Sequence, residues 1–208
     1  MRSVTVWFAR LPLLVAALFV GATVAATVGS AQTQPLLVAG KPLAEQLEVC
    51  VACHGDGGNA TAPNMPSLAG QQPLFITNQL ILFREGLRKS ELMSPSAQGL
   101  KDEEILALAD AFAKMPLKPV AVTPDPARIA RGGELIKTLR CNNCHLPSLL
   151  GREQIPRIAG QREDYLGQSM RQYRDNQRVG SDTSMAAAMY GVPDAEVGAL
   201  AHFLAVQR

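Results

Sequence analysis

Aromatic side chains are scarce in this chain, at 5% of 208 residues. Domains of about 85 residues with so few aromatics would have thin cores, because small domains bury a low fraction of their surface. Something besides side chains has to fill and staple them. Charge of one sign is not in excess either. Twenty Lys and Arg stand against 18 Asp and Glu, a formal charge of +2. That balance carries no global signature of nucleic-acid binding or of a membrane surface. No alternating apolar run is long enough for a confident strand, which leaves helices as the main element. Cysteines number four and histidines three, and their placement carries most of the information.

The N-terminus sets the compartment. Arg2 and Arg10 flank a positive start, and Leu11 to Val28 carries no charge. Gly29, Ser30 and Ala31 follow as small residues before Gln32. This is the pattern of a secretory signal peptide spanning 1–31, with cleavage near Ala31. The alternative is an uncleaved anchor, since an uncharged run of 18 is just long enough to span. Its Ala, Gly and Thr content toward the end weakens that alternative. Either way, the remainder lies outside the cytoplasm, and localisation to a periplasm is expected.

The region after the leader repeats itself. Cys50-x-x-Cys53-His54, Pro66 to Gln71, Met93 and Leu100 to Ile105 recur in order. Their counterparts are Cys141-x-x-Cys144-His145, Pro156 to Gln161, Met185 and Val192 to Val197. The offset is 91 residues for the histidines, 90 for the Gly-Gln pairs and 92 for the methionines. Two copies make a duplicated domain rather than a solenoid. Pro116, Pro119, Pro124 and Pro126 crowd the junction, where an extended, semi-rigid linker is expected. The expected domains are 35–119 and 120–208.

Helical spacing is predicted over Leu43 to Val51, Leu74 to Glu85 and a segment capped by Asp102. In the second half it is predicted over Arg128 to Leu139, Glu163 to Arg174 and a last helix with Val197, Leu200, Ala201 and Leu204 on one face. Each half is then an all-α unit of three to four helices joined by loops.

All four cysteines fall in Cys-x-x-Cys-His. In an exported protein that spacing points to c-type haem attachment. Two thiols one helical turn apart can each add to a vinyl group on one haem edge. The next residue's imidazole then lies under the iron. Two disulfides would not need a histidine after each pair. A zinc site would have to join pairs separated by a domain linker. A thioredoxin-like dithiol would need a preceding strand. Two covalently bound haem c groups are therefore expected, on Cys50 and Cys53 and on Cys141 and Cys144. His54 and His145 supply the proximal ligands.

Met93 and Met185 are the candidates for the sixth ligand. They follow their histidines by 39 and 40 residues. Met65 matches Ile155, and Met189 matches Ala97, so both are expected to pack rather than ligate. Met170 is expected in the core, and His202 as a surface or half-buried helix residue. The carbonyls of Pro66 and Pro156 are candidate acceptors for the ligand imidazoles. Gly70 and Gly160 are expected to permit a turn or a close backbone approach.

These residues resemble the cytochrome c4 family, the two-domain, two-haem class I cytochromes c of the bacterial periplasm. The likeness covers nearly all of the chain after the leader. It rests on CVACHGDGGNATAPNMPSLAGQ and MSPSAQGLKDEEI, and on CNNCH, IPRIAGQ and MAAAMYGVPDAEV in the second half. It implies two tandem cytochrome c-like domains with haems facing each other across the domain interface. The family's axial methionines align with Met93 and Met185. It also implies electron transport toward terminal oxidases, with a quinol-oxidising complex as a second redox partner. The chain departs from the pattern at His145-Leu-Pro, where the first half has His54-Gly-Asp-Gly.

Three functions are weighed. The first is an electron carrier, whose irons cycle between ferric and ferrous with both axial sites filled. The second is an electron-transfer subunit of a dehydrogenase or oxidase complex, favoured if residues 11–28 stay as an anchor. The third is a dihaem peroxidase, which needs an open or displaceable sixth site that neither half offers. The halves carry −2 (7 basic, 9 acidic) and +2 (11 basic, 9 acidic), a dipole that could orient docking.

Overall fold

Helices account for nearly all the regular structure in the computed structural model, which describes residues 37–38, 41–178 and 183–208. The expected leader, 1–31, lies outside the described residues. Only one strand pair is present among them, two residues each, with β1 (Leu37–Val38) antiparallel to β2 (Lys41–Pro42). No described helix is long and apolar enough to cross a membrane.

In the first half, α1 (Leu43–His54) starts after Pro42 and stops where Gly55 turns to φ 81° and its N–H bonds back to Val51. Helix α2 (Pro73–Arg84) has proline at its first position, where the missing N–H costs nothing. The short α3 (Met93–Ala97) follows. Helix α4 (Asp102–Lys114) buries Ile105, Leu108, Ala109 and Phe112, the face that the spacing predicts. Asp102 is not its cap. Glu104 reaches back to the Lys101 N–H at 2.8 Å, and Asp102 accepts instead from Arg84 at 2.8 Å.

The second half repeats this order with one break. Asp125 caps α5 (Pro126–Thr138) by accepting from the Ala127 and Arg128 N–H groups. The chain then leaves the helix at Arg140, φ 55°, before α6 (Cys141–His145). Helices α7 (Glu163–Arg174), α8 (Thr183–Met189) and α9 (Asp194–Val206) complete it.

Each half has its own core. Leu135, Leu166, Met170, Val197, Leu200 and Leu204 are among those in the second, with α9 packed on α5 and α7. In the first half, Phe83, Leu100, Ile105 and Leu108 form one cluster, and Ile76, Ala109 and Phe112 form another. Helix α5 lies very close to α9. A Cβ on Gly132 would stand 2.4 Å from the Phe203 Cβ and 2.5 Å from the Ala199 carbonyl oxygen.

Residues 116–125, where the prolines crowd, carry no helix or strand. Asn59 ties that linker back, accepting from the Lys118 N–H at 2.7 Å and donating to the Pro116 carbonyl at 3.1 Å.

Candidate haem-binding sites

The two Cys-x-x-Cys-His motifs end helices, as sequence spacing requires. Cys50, Cys53 and His54 occupy the last turn of α1, and Cys141, Cys144 and His145 make up the ends of α6. None of the four cysteines is in a disulfide. Cys50 and Cys141 are half-buried, while Cys53 and Cys144 are exposed. Burial pushes the Cys50 and Cys141 thiols up, with a smaller push from the neighbouring cysteine of each pair. A reactive dithiol needs the opposite, a thiolate favoured by positive surroundings. Burial therefore favours the protonated thiol at Cys50 and Cys141.

His54 and His145 are buried, 6% and 8% exposed. Each Nδ1 lies 2.9 Å from a proline carbonyl, Pro66 for His54 and Pro156 for His145. A carbonyl only accepts, so Nδ1 carries the proton and the neutral ring's lone pair sits on Nε2. Burial lowers the His54 pKa, with the Pro66 bond opposing it, so the ring is held neutral as a metal ligand must be. These are the two carbonyls that the sequence singles out.

Met93 opens α3 and Met185 lies in α8; both are half-buried. Met93 packs on the same core cluster as Cys50, and Met185 on the same cluster as Cys141. Each half therefore sets one half-buried thiol and one thioether against one core, with a buried imidazole following the thiol pair in the chain. Met189 and Met170 are core residues, 2% and 5% exposed, and Met65 stays in a loop.

His202 differs from expectation. It is only 2% exposed, and both ring nitrogens are used. Nδ1 donates to Glu163 Oε2 at 2.8 Å and Nε2 accepts from the Asp125 N–H at 2.9 Å. It fastens the start of α5 to α7 and α9, and offers no lone pair to a metal. The missed signal is that α9 is apolar nearly all round, as a buried helix is.

Residues that sequence reasoning passes over join the halves. Gln71 and Gln161 appear in the repeat only as landmarks beside Gly70 and Gly160, whose φ values of 62° and 63° make the turns that aim them. Each glutamine crosses to the backbone of the other half. Arg157 is 4% exposed and donates to the carbonyls of Ala69, Gly70 and Ala159. Burial pushes its guanidinium down to about 10.

A basic corner also spans the halves. Arg88 and Arg178 both donate to Gln79 Oε1, at 2.5 and 3.1 Å. Arg88 lies 4.5 Å over the Phe83 ring. Burial pushes the Tyr165 phenol up, but Arg178 and Arg88 outweigh it and bring it down to about 7. Haem c carries two carboxylates, and guanidinium groups such as those of Arg88 and Arg178 are able to pair with carboxylates. The donor set, the fixed tautomer and this positive corner all fit haem c.

The family model described as cytochrome c matches residues 129–207. Cytochrome c4 of Thiocapsa roseopersicina is 34% identical over 167 residues, covering 75% of this chain and 85% of the relative. A protein of Thiomonas intermedia named thiosulfate dehydrogenase electron acceptor is 31% identical, covering 76% and 78%. The crystal structure of reduced recombinant cytochrome c4 from Pseudomonas stutzeri superposes with a TM-score of 0.72 at 26% identity, covering 79% of this chain and 97% of that one.

Proposed function

The chain belongs to the cytochrome c4 family and is a dihaem c-type electron carrier rather than an enzyme, and we propose that it works in the periplasm with each iron held between a histidine and a methionine. Cys50 and Cys53 hold the first haem c through thioethers, and Cys141 and Cys144 hold the second. His54 and Met93 ligate the first iron, and His145 and Met185 the second. The domains run over 35–119 and 120–208, in line with the separate cores. The leader 1–31 directs export.

The observation that carries the haem reading is the repeated imidazole-to-proline bond, 2.9 Å in each half, on a buried histidine directly after a thiol pair. Haem c, when bound, supplies a one-electron ferric–ferrous couple. The chain's task is to keep its groups still through that cycle. Pro66 and Pro156 lock the two imidazoles in one tautomer and orientation. Met93 packs against the buried cluster of Phe83, Leu100 and Ile105, and Met185 against that of Leu166, Val197 and Leu200, so each thioether would approach iron from an apolar wall. Neutral ligands in a dry, rigid setting need little rearrangement when the electron arrives. Thioether ligation favours the reduced state and raises the potential.

The partners are a quinol-oxidising complex as donor and a terminal oxidase as acceptor. A dehydrogenase as donor is the second reading, supported by the 31% identity to the thiosulfate dehydrogenase electron acceptor. In either case, the side-chain charge difference of four between the halves (+2 against −2), to which two identical haems add equally, orients the encounter.

Single substitutions test the ligand set. Met93→Ala and Met185→Ala should each remove the methionine-to-ferric-haem band from one of two haems and let carbon monoxide bind that reduced iron. An unchanged spectrum would refute the methionine concerned.

A further inference from the structure

His54 and His145 are each joined, through a single peptide group, to a glutamine of the opposite half. His54 Nδ1 donates to the Pro66 carbonyl at 2.9 Å. The N–H of that same peptide group belongs to Ser67 and donates to Gln161 Oε1 at 2.8 Å. Gln161 Nε2 then donates to the Ser67 carbonyl at 2.9 Å. The mirror arrangement is complete. His145 Nδ1 donates to the Pro156 carbonyl at 2.9 Å, and the Arg157 N–H donates to Gln71 Oε1 at 2.7 Å. Gln71 Nε2 donates to the Arg157 carbonyl at 3.0 Å. Ser67, Gln71, Arg157 and Gln161 are 2%, 4%, 4% and 3% exposed, so water does not compete for these bonds.

A peptide group polarises as a unit. An acceptor on its N–H pushes electron density onto its carbonyl oxygen, and chained hydrogen bonds strengthen one another in a low dielectric. A more negative Pro66 or Pro156 oxygen pulls harder on the imidazole proton. The ring then donates more strongly through Nε2, as partners of a ligating histidine do. A stronger donor favours ferric over ferrous iron and lowers the potential.

We infer that Gln71 and Gln161 are positioning residues that set the reduction potential of the haem in the half opposite their own. Gln161 acts on the first haem through the Pro66–Ser67 peptide and His54. Gln71 acts on the second through the Pro156–Arg157 peptide and His145. The inference rests on the reading of His54 and His145 as proximal ligands. A glutamine that only fastened the halves together would affect stability alone.

The test uses the full-length, haem-loaded protein and its Gln71→Leu and Gln161→Leu variants. Haem methyl resonances, assigned to each haem, are followed through a redox titration to give two separate potentials. Gln161→Leu should raise the first haem's potential and leave the second near its wild-type value. Gln71→Leu should do the reverse. Equal shifts of both haems, a shift confined to the variant's own half, or no shift would overturn the inference. Should a Leu variant fail to fold, Gln161→Met and Gln71→Met decide the matter. Methionine keeps the unbranched length and removes the amide oxygen, so the opposite haem's potential should again rise by more than that of the same half. Equal rises, or none, would overturn the inference. Failure of the ligand reading looks different. It appears in the wild-type protein as an iron that is not six-coordinate, whereas failure of the inference alone leaves both haems low-spin in every variant.

Discussion

Asp164 stands in the first turn of α7 and gathers four hydrogen bonds. Arg162 supplies two, at 3.1 and 2.8 Å, the Tyr165 N–H a third at 2.8 Å, and the Asn64 N–H of the first half a fourth at 3.0 Å. Burial raises its pKa, but Arg162 and the two amides outweigh that and hold the carboxyl below its ordinary value. A carboxyl depressed on folding contributes stability above its unfolded pKa, and loses it as pH falls through the folded value. Asp164→Asn should therefore destabilise by about 1 kcal/mol at pH 7, the scale of a lost hydrogen-bonding partner. That difference should shrink below the ordinary carboxylate pKa and vanish in stronger acid. Thermal unfolding of both forms across pH 7 to 3 checks it, and a pH-independent difference would contradict it. At this scale the sequence is informative where chemistry repeats. The cysteines, histidines and proline carbonyls are legible because both halves need the same groups at the same spacing. His202 and the two glutamines are not, because their partners, Glu163, Asp125, Ser67 and Arg157, lie 39 to 94 residues away in the chain.

Helix α5 shows where element geometry departs from pattern. The first half runs one continuous helix into its motif, while the second breaks at Arg140 in the left-handed region. Periodicity predicts both helices but not the break, because a single left-handed residue leaves no periodic mark. The pairing of α5 with α9 is equally silent in the sequence. It depends on Gly132, where propensity and packing pull in opposite directions. Alanine is better than glycine inside a helix by about 1 kcal/mol. Yet the added methyl would meet the Ala199 carbonyl at 2.5 Å, and backbone does not step aside. Overpacking costs about 1–3 kcal/mol, so packing wins. Gly132→Ala should lower the unfolding temperature by several degrees, about what 1 kcal/mol does in a domain this size. A rise in unfolding temperature would show that the helices can separate freely.

At the scale of the molecule, polar contacts cross between two halves that each keep an apolar core: Gln71 and Gln161 bond the opposite backbone, Arg157 donates to the Ala69 and Gly70 carbonyls, and Asp164 accepts from the Asn64 N–H. The N–H groups of Ser67 and Arg157 therefore report on the contact between halves. Both should exchange with solvent slowly in the intact protein, because their partners Gln161 and Gln71 must first withdraw. In the Leu variants the same amides should exchange at least tenfold faster. Rapid exchange in the intact chain would mean that the halves part readily in solution. The fold class and the duplication are legible at this scale from a constant offset of 90 to 92 residues. The way the halves face each other is not, since no single-chain periodicity encodes an interface made by side chains reading the backbone of the other half. The account as a whole turns on two six-coordinate irons per chain. The optical and near-infrared spectrum of the haem-loaded protein, oxidised and then reduced under carbon monoxide, tests this most directly. The prediction is a methionine-to-ferric-haem band at two haems per chain and a reduced protein that ignores carbon monoxide. Ready binding of carbon monoxide to either haem would contradict it, by showing an iron with an open site.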